Sequence, residues 1–412
     1  MKCRHCMAEL TLSLLDLGSA PPSNAYLAED ALHAPEKWFP LRVMVCQKCW
    51  LAQTEDFASA SELFSADYAY FSATSRSWLA HAERSVNAMT ERFALNAESF
   101  VVEVAANDGY LLQYVKARKI PCLGIEPTAS TAAAAREKGI DIIESFFGVG
   151  LAEKLSVQGK KADVMIANNV LAHVPDINDF TAGFSRMLKP LGVAMFEFPH
   201  LLNLVASCQF DTVYHEHYSY LSLLAVKGIF EANGLTVFDV EELPTHGGSL
   251  RVFACKTDAG QHHVKQDSTA RVNCVLKKEI DAGMNTAAFY RGFQAKAESI
   301  KNEFAAFLLA AKKQGKKVVA YGAAAKGNTL LNFAGIRADL LAFVVDRSPS
   351  KQGKFLPGSR IPIVSEQRLR DERPDYIVVF PWNIKNEIMT QLSYAAAWGA
   401  RFVTAVPRLE IV

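Results

Sequence analysis

From Phe100 the chain repeats one pattern: an apolar run that ends in polar residues, followed by a helical stretch. "FVVEVAANDGYLLQYV" starts it, "CLGIEPTASTAAAAREKGI" repeats it, and "ADVMIANNVLAHVPD" and "GVAMFEFPH" add a third and a fourth apolar run. Runs this continuously apolar must be covered on both faces, and helices between them are the covering. The pattern therefore predicts a doubly wound parallel sheet whose ligands lie beyond the carboxyl ends of the strands. "VKGIFEANGLTVFDVEELPTHGGSLRVFACK" reads as a further helix and two strands that complete the sheet.

Two acidic residues stand at informative places. Glu103 lies within the first strand, and Glu126, followed by Pro127, ends the second. A carboxylate ending the second strand accepts both hydroxyls of a ribose. The turn "AANDGY" contains a single glycine, Gly109, and lacks the G-x-G-x-x-G form that makes room for a pyrophosphate. A nucleoside carrying an amino-acid tail fits such a turn better than a dinucleotide. Whether Glu103 touches that ligand or braces the turn stays open.

Eight cysteines occur in the chain. Cys3 and Cys6 ("CRHC") and Cys46 and Cys49 ("CQKC") form two C-x2-C pairs. Each pair can turn two thiolates toward one tetrahedral ion, so the four are expected to hold a structural zinc. A closed shell of four thiolates leaves no position for a reacting water. The other four, Cys122, Cys208, Cys255 and Cys274, are expected in apolar surroundings. The formal net charge of +1 gives no basic excess for nucleic acid. The start "MKCRHC" has no apolar signal region, and no run reaches the ~18 apolar residues of a membrane helix. A cytoplasmic protein with no membrane association, acting as a monomer, is the expectation.

"DTVYHEHYSYL" (211–221) crowds Tyr214, His215, Glu216, His217, Tyr218 and Tyr220 into one short stretch. Neither a buried strand nor a solvated loop favours this composition, and it suits a place where protons move. A metal held by His215 and His217 is a weaker reading, since no further ligand cluster lies nearby. Upstream, "FSADYAYFSATSRSW" presents Tyr68 and Tyr70 before a helix over about 75–93. In "THGGSLR", Gly247 and Gly248 would let backbone approach a ligand, and His246, Ser249 and Arg251 could contact sugar or phosphate. Residues 266–315 read as amphipathic helix. "KKVVAYGAAAKGNTLLNFAG" then opens a second α/β unit, in which Lys326 at a helix start and Lys351 beside a glycine-containing loop suit anions.

Three segments resemble the class I S-adenosylmethionine-dependent methyltransferases: "VVEVAANDGYLL" their first motif, "GIEP" their second, and "IANNVLAHVPD" their fourth strand with its following loop. "DIIESFF", with Ser145, is similar to the segment flanking the adenine. Ala105 and Asn107 occupy positions that are glycine in the common first motif. Taken in order with the cysteine pairs, "YHEHYSYLS", "THGGSLRVF" and "VAYGAAAKGNTLLN", the whole chain resembles the sugar C-methyltransferases that make branched deoxysugars on nucleotide carriers.

The resemblance implies three units: a zinc module over 1–72, a methyltransferase domain over 73–257, and a Rossmann-like domain over 258–412 that closes over the nucleotide sugar. It implies S-adenosylmethionine as cofactor, held by Glu103, Ala105, Asn107, Gly109, Glu126, Pro127, Ser145 and Asn168. It implies His217 as the base, Tyr214 and Glu216 beside it, and His173 and Tyr68 lining the same site. Tyr70, Tyr321, Lys326, Asn328 and Lys351 become candidates for the substrate. The implied reaction is methylation of a carbon, C3 by preference, next to the ketone of an NDP-4-keto-deoxysugar, with a dTDP carrier chosen by analogy. An O- or N-methyltransferase, a nonenzymatic binding protein and, last, a nicotinamide oxidoreductase remain alternatives at this point.

Overall fold

A computed structural model describes residues 1–57, 63, 71–259, 263 and 266–412. Tyr68 and Tyr70 lie outside the described residues. Among the described residues, seventeen strands fall into three sheets. In chain order the strands are β1 (Leu12–Ala20), β2 (Phe39–Val45), β3 (Ala52–Thr54), β4 (Val101–Val104), β5 (Cys122–Ile125), β6 (Ile142–Ile143), β7 (Ala162–Asn168), β8 (Leu188–Pro199), β9 (Ser219–Tyr220), β10 (Leu235–Leu243), β11 (Ser249–Lys256), β12 (Val318–Tyr321), β13 (Val344–Val345), β14 (Ile363–Val364), β15 (Tyr376–Val379), β16 (Arg401–Thr404) and β17 (Glu410–Ile411).

The central sheet runs β10-β11-β8-β7-β4-β5-β6. Strands β8, β7, β4, β5 and β6 are parallel, and β11 is antiparallel to both β8 and β10. Its inner strands are buried on both faces, which explains their unbroken apolar runs. One face packs Val102, Val104 and Met165 with Phe180 and Phe184; the other packs Val101, Val164 and Ile166 with Val86 and Leu112. The neighbouring helix Arg76–Arg92 starts at Ser75, whose hydroxyl accepts from the Trp78 amide at 3.3 Å.

The N-terminal sheet runs β1-β2-β3-β9. Its last strand comes from the tyrosine- and histidine-rich segment: Tyr220 lies opposite Ala52 and Ser219 opposite Gln53. Only Ser219–Tyr220 of this segment is strand, and Tyr214–Tyr218 form an irregular turn.

The C-terminal sheet runs β14-β13-β12-β15-β16-β17, parallel except for β17, which adds a short antiparallel edge beyond the last expected strand. The stretch expected as one helical region over 266–315 is three helices, Gln266–Asp281, Ala287–Tyr290 and Phe293–Lys313. Gly283 (φ 86°) and Gly292 (φ 83°) break it by adopting a left-handed backbone that other residues rarely take. No helix among the described residues is long and apolar enough to cross a membrane.

Candidate active site

The four sulfurs of Cys3, Cys6, Cys46 and Cys49 lie within 4.8 Å of one another. Cys3 and Cys49 are 3.6 Å apart and Cys6 and Cys46 3.5 Å apart. A tetrahedral ion with Zn–S bonds of about 2.3 Å separates its sulfurs by about 3.8 Å, so the cluster fits zinc. The Cys3 thiol is pulled down to about 4, first by the hydrogen bond from Cys49, and Gln53 adds an N–H donor at 3.3 Å. Gln53 also pairs across to β9, which ties the metal module to the segment that carries His217.

The carboxyl ends of β4, β5 and β7 gather buried polar groups. Buried Glu103 has the Tyr110 hydroxyl and the Leu112 amide as its hydrogen-bonding neighbours, and the side-chain oxygen and nitrogen of buried Asn168 have no hydrogen-bond partner among the described residues. Burial pushes Glu103 well above the carboxylate range, reinforced by the charges of Asp108 and Glu126 and opposed by Tyr110. Glu126 accepts from the amides of Asn107 (2.9 Å) and Thr128 (3.0 Å), and burial raises its pKa. Each of its oxygens keeps a lone pair for a hydroxyl. Ala105 (φ 57°) and Asn107 (φ 49°) adopt the left-handed conformation that glycines supply in the common motif. The Asn107 side chain accepts from the Ser72 amide at 2.9 Å, which anchors the turn from outside. Pro127 directly follows Glu126, and Ser145, half-buried, donates to the Phe146 carbonyl at 3.0 Å. These buried polar groups and this turn fit a bound nucleoside.

A Cβ on Gly109 would come within 2.4 Å of Ile140, so this glycine makes room for a packed side chain. Likewise Gly247 faces Trp382 and Gln209, and Gly248 faces Asn203.

Beyond this cradle three rings meet. His217 lies 4.0 Å from Tyr214 and 4.6 Å from His173 between ring centroids. Nδ1–H of His217 donates to the Thr212 carbonyl at 2.9 Å, and Nδ1–H of His173 donates to the Glu216 carbonyl at 2.7 Å. Both bonds leave Nε2 as the proton acceptor. Burial first, then His173, His246 and Lys326, push His217 well below its ordinary value; burial brings His173 to about 4. Both rings are therefore neutral at pH 7.

The neighbours of His217 in the chain turn elsewhere. His215 points Nε2 at the Phe39 and Pro40 carbonyls (3.3 and 3.2 Å), away from His217, so the two share no ion. The Glu216 side chain accepts from Asn24 at 3.0 Å; its other oxygen has no partner, and burial raises its pKa.

A second group borders the cluster. The Trp382 indole donates to Asp211 at 2.7 Å, and Lys326 lies 4.3 Å over the Trp382 ring while donating to Asn383 at 2.8 Å. Burial lowers Lys326 to about 8, with Asp211 opposing, and raises Asp211 to about 6. His246, in a left-handed conformation (φ 53°), accepts from Asn169 at 3.3 Å and lies 5.0 Å from Trp78. Burial and the Lys326 charge bring it to about 4. Asn328 is buried with both side-chain polar atoms unpartnered. Lys351 donates to the Ala323 carbonyl at 2.9 Å and covers the Tyr26 ring at 5.3 Å.

Three expected substrate residues are committed elsewhere. Arg251 pairs with Glu197 (2.8 Å) and Glu241 (3.2 Å); His81 reaches the same Glu197 at 2.9 Å. Burial pushes Glu197 up, but His81 and Arg251 outweigh it and keep the carboxyl below its usual range. Ser249 donates to the Thr245 carbonyl at 2.9 Å. Tyr321 packs with Val319, Val345 and Ile377 on the face of the C-terminal sheet opposite Ala320 and Val378, because side chains alternate along a strand. Its hydroxyl accepts from Gln391 at 2.5 Å. Asp211, Trp382, Asn24 and Trp78 were not anticipated. Asp211 and the first histidines share one short segment, the one signal that pointed to it.

Matches to three family models cover the chain in order: "Putative zinc binding domain" over 3–64, "Methyltransferase domain" over 78–240 and "C-methyltransferase C-terminal domain" over 244–407. The chain is 32% identical over 411 residues, all of this chain and 96% of the relative, to the C-methyltransferase NovU of Streptomyces niveus. Among solved structures, a magnesium protoporphyrin IX methyltransferase of Synechocystis PCC 6803 with bound SAH covers 43% of this chain and 83% of its own at 14% identity and TM-score 0.36. The PH0226 protein of Pyrococcus horikoshii OT3 covers 49% and 100% at 16% identity and TM-score 0.38. Likeness at that level carries no argument. The order of domain matches and the full-length relative do: the chain belongs to the S-adenosylmethionine-dependent C-methyltransferases that carry an N-terminal zinc-binding domain.

Proposed function

We propose that this enzyme methylates a carbon next to the ketone of an NDP-4-keto-deoxysugar, C3 being the position, with His217 as the base. A C–H bond offers no lone pair, so the carbon must lose a proton before it can accept a methyl group. Nε2 of His217 takes that proton, and the electron pair of the broken C–H bond spreads onto the ketone oxygen. The Tyr214 hydroxyl, on the ring packed against His217, supplies a donor to that oxygen. His173 lines the same space. The methyl donor, held by Glu103, Asn107, Glu126 and Asn168, supplies an electrophilic methyl group when bound.

Lys326, His246, Asn328 and Lys351 are assigned to the nucleotide sugar, with Lys326 toward its diphosphate. Support comes from a cation that hydrogen-bonds a neutral amide and lies over an indole ring, while one oxygen of the neighbouring Asp211 carboxylate accepts from that indole. Tyr68 and Tyr70, which precede the anchored turn at Ser72, are assigned to the same site. The three units are proposed to run over 1–72, 73–257 and 258–412, in the cytoplasm, with one chain as the working unit.

One observation carries the reading: His217 is fixed by Thr212 with Nε2 free, and it packs against Tyr214 and His173. The test is exchange of substrate hydrogen for solvent deuterium in dTDP-4-keto-6-deoxyglucose. His217→Asn abolishes exchange if the reading holds; exchange at the parental rate would move the base elsewhere.

A further inference from the structure

Residues 209–213 link the Gly247 turn, His217 and the C-terminal unit. The Gln209 amide donates to the Gly247 carbonyl at 2.9 Å, next to His246. Asp211 accepts from the Trp382 indole at 2.7 Å. The Thr212 carbonyl accepts from His217, and the Val213 carbonyl accepts from the Thr329 hydroxyl at 2.9 Å. Gln209 and Thr212 belong to the central domain, whereas Trp382 and Thr329 belong to the C-terminal unit. Phe210, fully buried, packs against Phe333 of that unit with centroids 5.7 Å apart.

Asp211 is unusual among these. Its side chain is almost wholly buried, and Oδ1 has no hydrogen-bond partner. A buried carboxylate with one unsatisfied oxygen is costly and would be replaced by an apolar residue if packing were its whole role. Its peptide neighbour is the carbonyl that sets the His217 tautomer. The Asp211 side chain, anchored by the indole, thus sits one residue before the carbonyl that accepts from the base.

Resting on the proposed role of His217, we propose that Asp211 is a positioning residue for the base, clasped by Trp382 of the C-terminal unit. Docking of that unit, through Trp382, thereby holds the Thr212 carbonyl where Nε2 of His217 faces the substrate. Charged and titratable groups facing the two residues are Lys326 at Asp211, and His173, Tyr214, Tyr220, His246 and Lys326 at His217. Among the described residues the Thr212 carbonyl is the hydrogen-bond partner of Nδ1, while Tyr214 and His173 pack against the ring.

The experiment compares full-length parent, Asp211→Ala, Asp211→Asn, Trp382→Phe and His217→Asn. Deuterium exchange into dTDP-4-keto-6-deoxyglucose and kcat are measured against pH, and active enzyme is counted by calorimetric binding of S-adenosylmethionine. Asp211→Ala and Trp382→Phe are expected to lower kcat and exchange about 10- to 100-fold with cofactor affinity unchanged. Asp211→Asn, whose amide oxygen still accepts the indole N–H, is expected to recover most of that loss. In Asp211→Ala the acid limb of kcat moves up toward the free imidazole range, because water enters where burial had depressed the base. If Asp211→Ala and Trp382→Phe keep the parental kcat and pH profile per bound cofactor, Asp211 is structural and the inference fails. If His217→Asn keeps its exchange, the assignment of the base fails instead.

Discussion

His217 donates from Nδ1 to the Thr212 carbonyl at 2.9 Å, so Nε2 is the ring nitrogen that carries no proton, a tautomer set by main chain and not by a carboxylate. The ring is held from one side by Tyr214 and from another by His173. Replacing His217 with Asn is expected to lower kcat about 10²- to 10⁴-fold, the usual contribution of a placed base, while cofactor binding by calorimetry stays parental.

The histidines set a pH dependence. A base works when neutral, and burial holds both His217 and His173 below 6.5. The active form therefore persists as pH falls from 8 through 6.5, and kcat is expected to stay flat over that range. A free imidazole would instead lose half its activity near 6.5. Rapid-quench assays across pH 4.5–9 check this.

Lys326 gives the opposite limb. Its pKa, brought to about 8, means that the ammonium is present below pH 8 and lost above it. KM for the nucleotide sugar is expected to rise above pH 8 in the parent. In Lys326→Gln it is expected to be raised about tenfold at pH 7 and to be independent of pH through 9, as for the loss of one charge-assisted contact. Steady-state KM values in both proteins decide it.

Zinc links to catalysis through strand pairing. Cys46→Ser with Cys49→Ser is expected to remove one zinc per chain, measured by atomic emission. It also lowers the unfolding midpoint, because metal binding is part of the folding free energy of so small a module. Ser219–Tyr220 pair with Ala52 and Gln53, so kcat is expected to fall too, although no cysteine touches substrate.

Glu126→Ala is expected to weaken S-adenosylmethionine about 10- to 100-fold by calorimetry, through loss of the ribose acceptor and of the brace on the Asn107 amide. Unchanged affinity would remove Glu126 from the cofactor site.

Much of this was legible in the chain. Continuous apolar runs with polar ends announced the central sheet, and the paired cysteines announced a four-sulfur cluster. Local patterns of this kind report short-range geometry. What stayed hidden depends on long-range packing. Arg251 looked like a phosphate ligand until strand register set it beside Glu197. That Gly109 faces Ile140 was equally hidden, because Ile140 comes from the turn after the helix Ala129–Glu137. The depressed base could not be seen either, because burial and the approach of His173, His246 and Lys326 come from separate parts of the chain. Asp211 and Trp382 are far apart in sequence and meet only when the C-terminal unit docks.

The central claim is carbon methylation through an enolate formed by His217. Mass spectrometry of dTDP-4-keto-6-deoxyglucose incubated with the enzyme in deuterated water, with and without S-adenosylmethionine, tests it most directly. Deuterium uptake next to the ketone without cofactor, a gain of one methyl on that carbon with cofactor, and loss of both in His217→Asn are the predicted results. A methyl found on oxygen or nitrogen, or on carbon with no exchange, would contradict it.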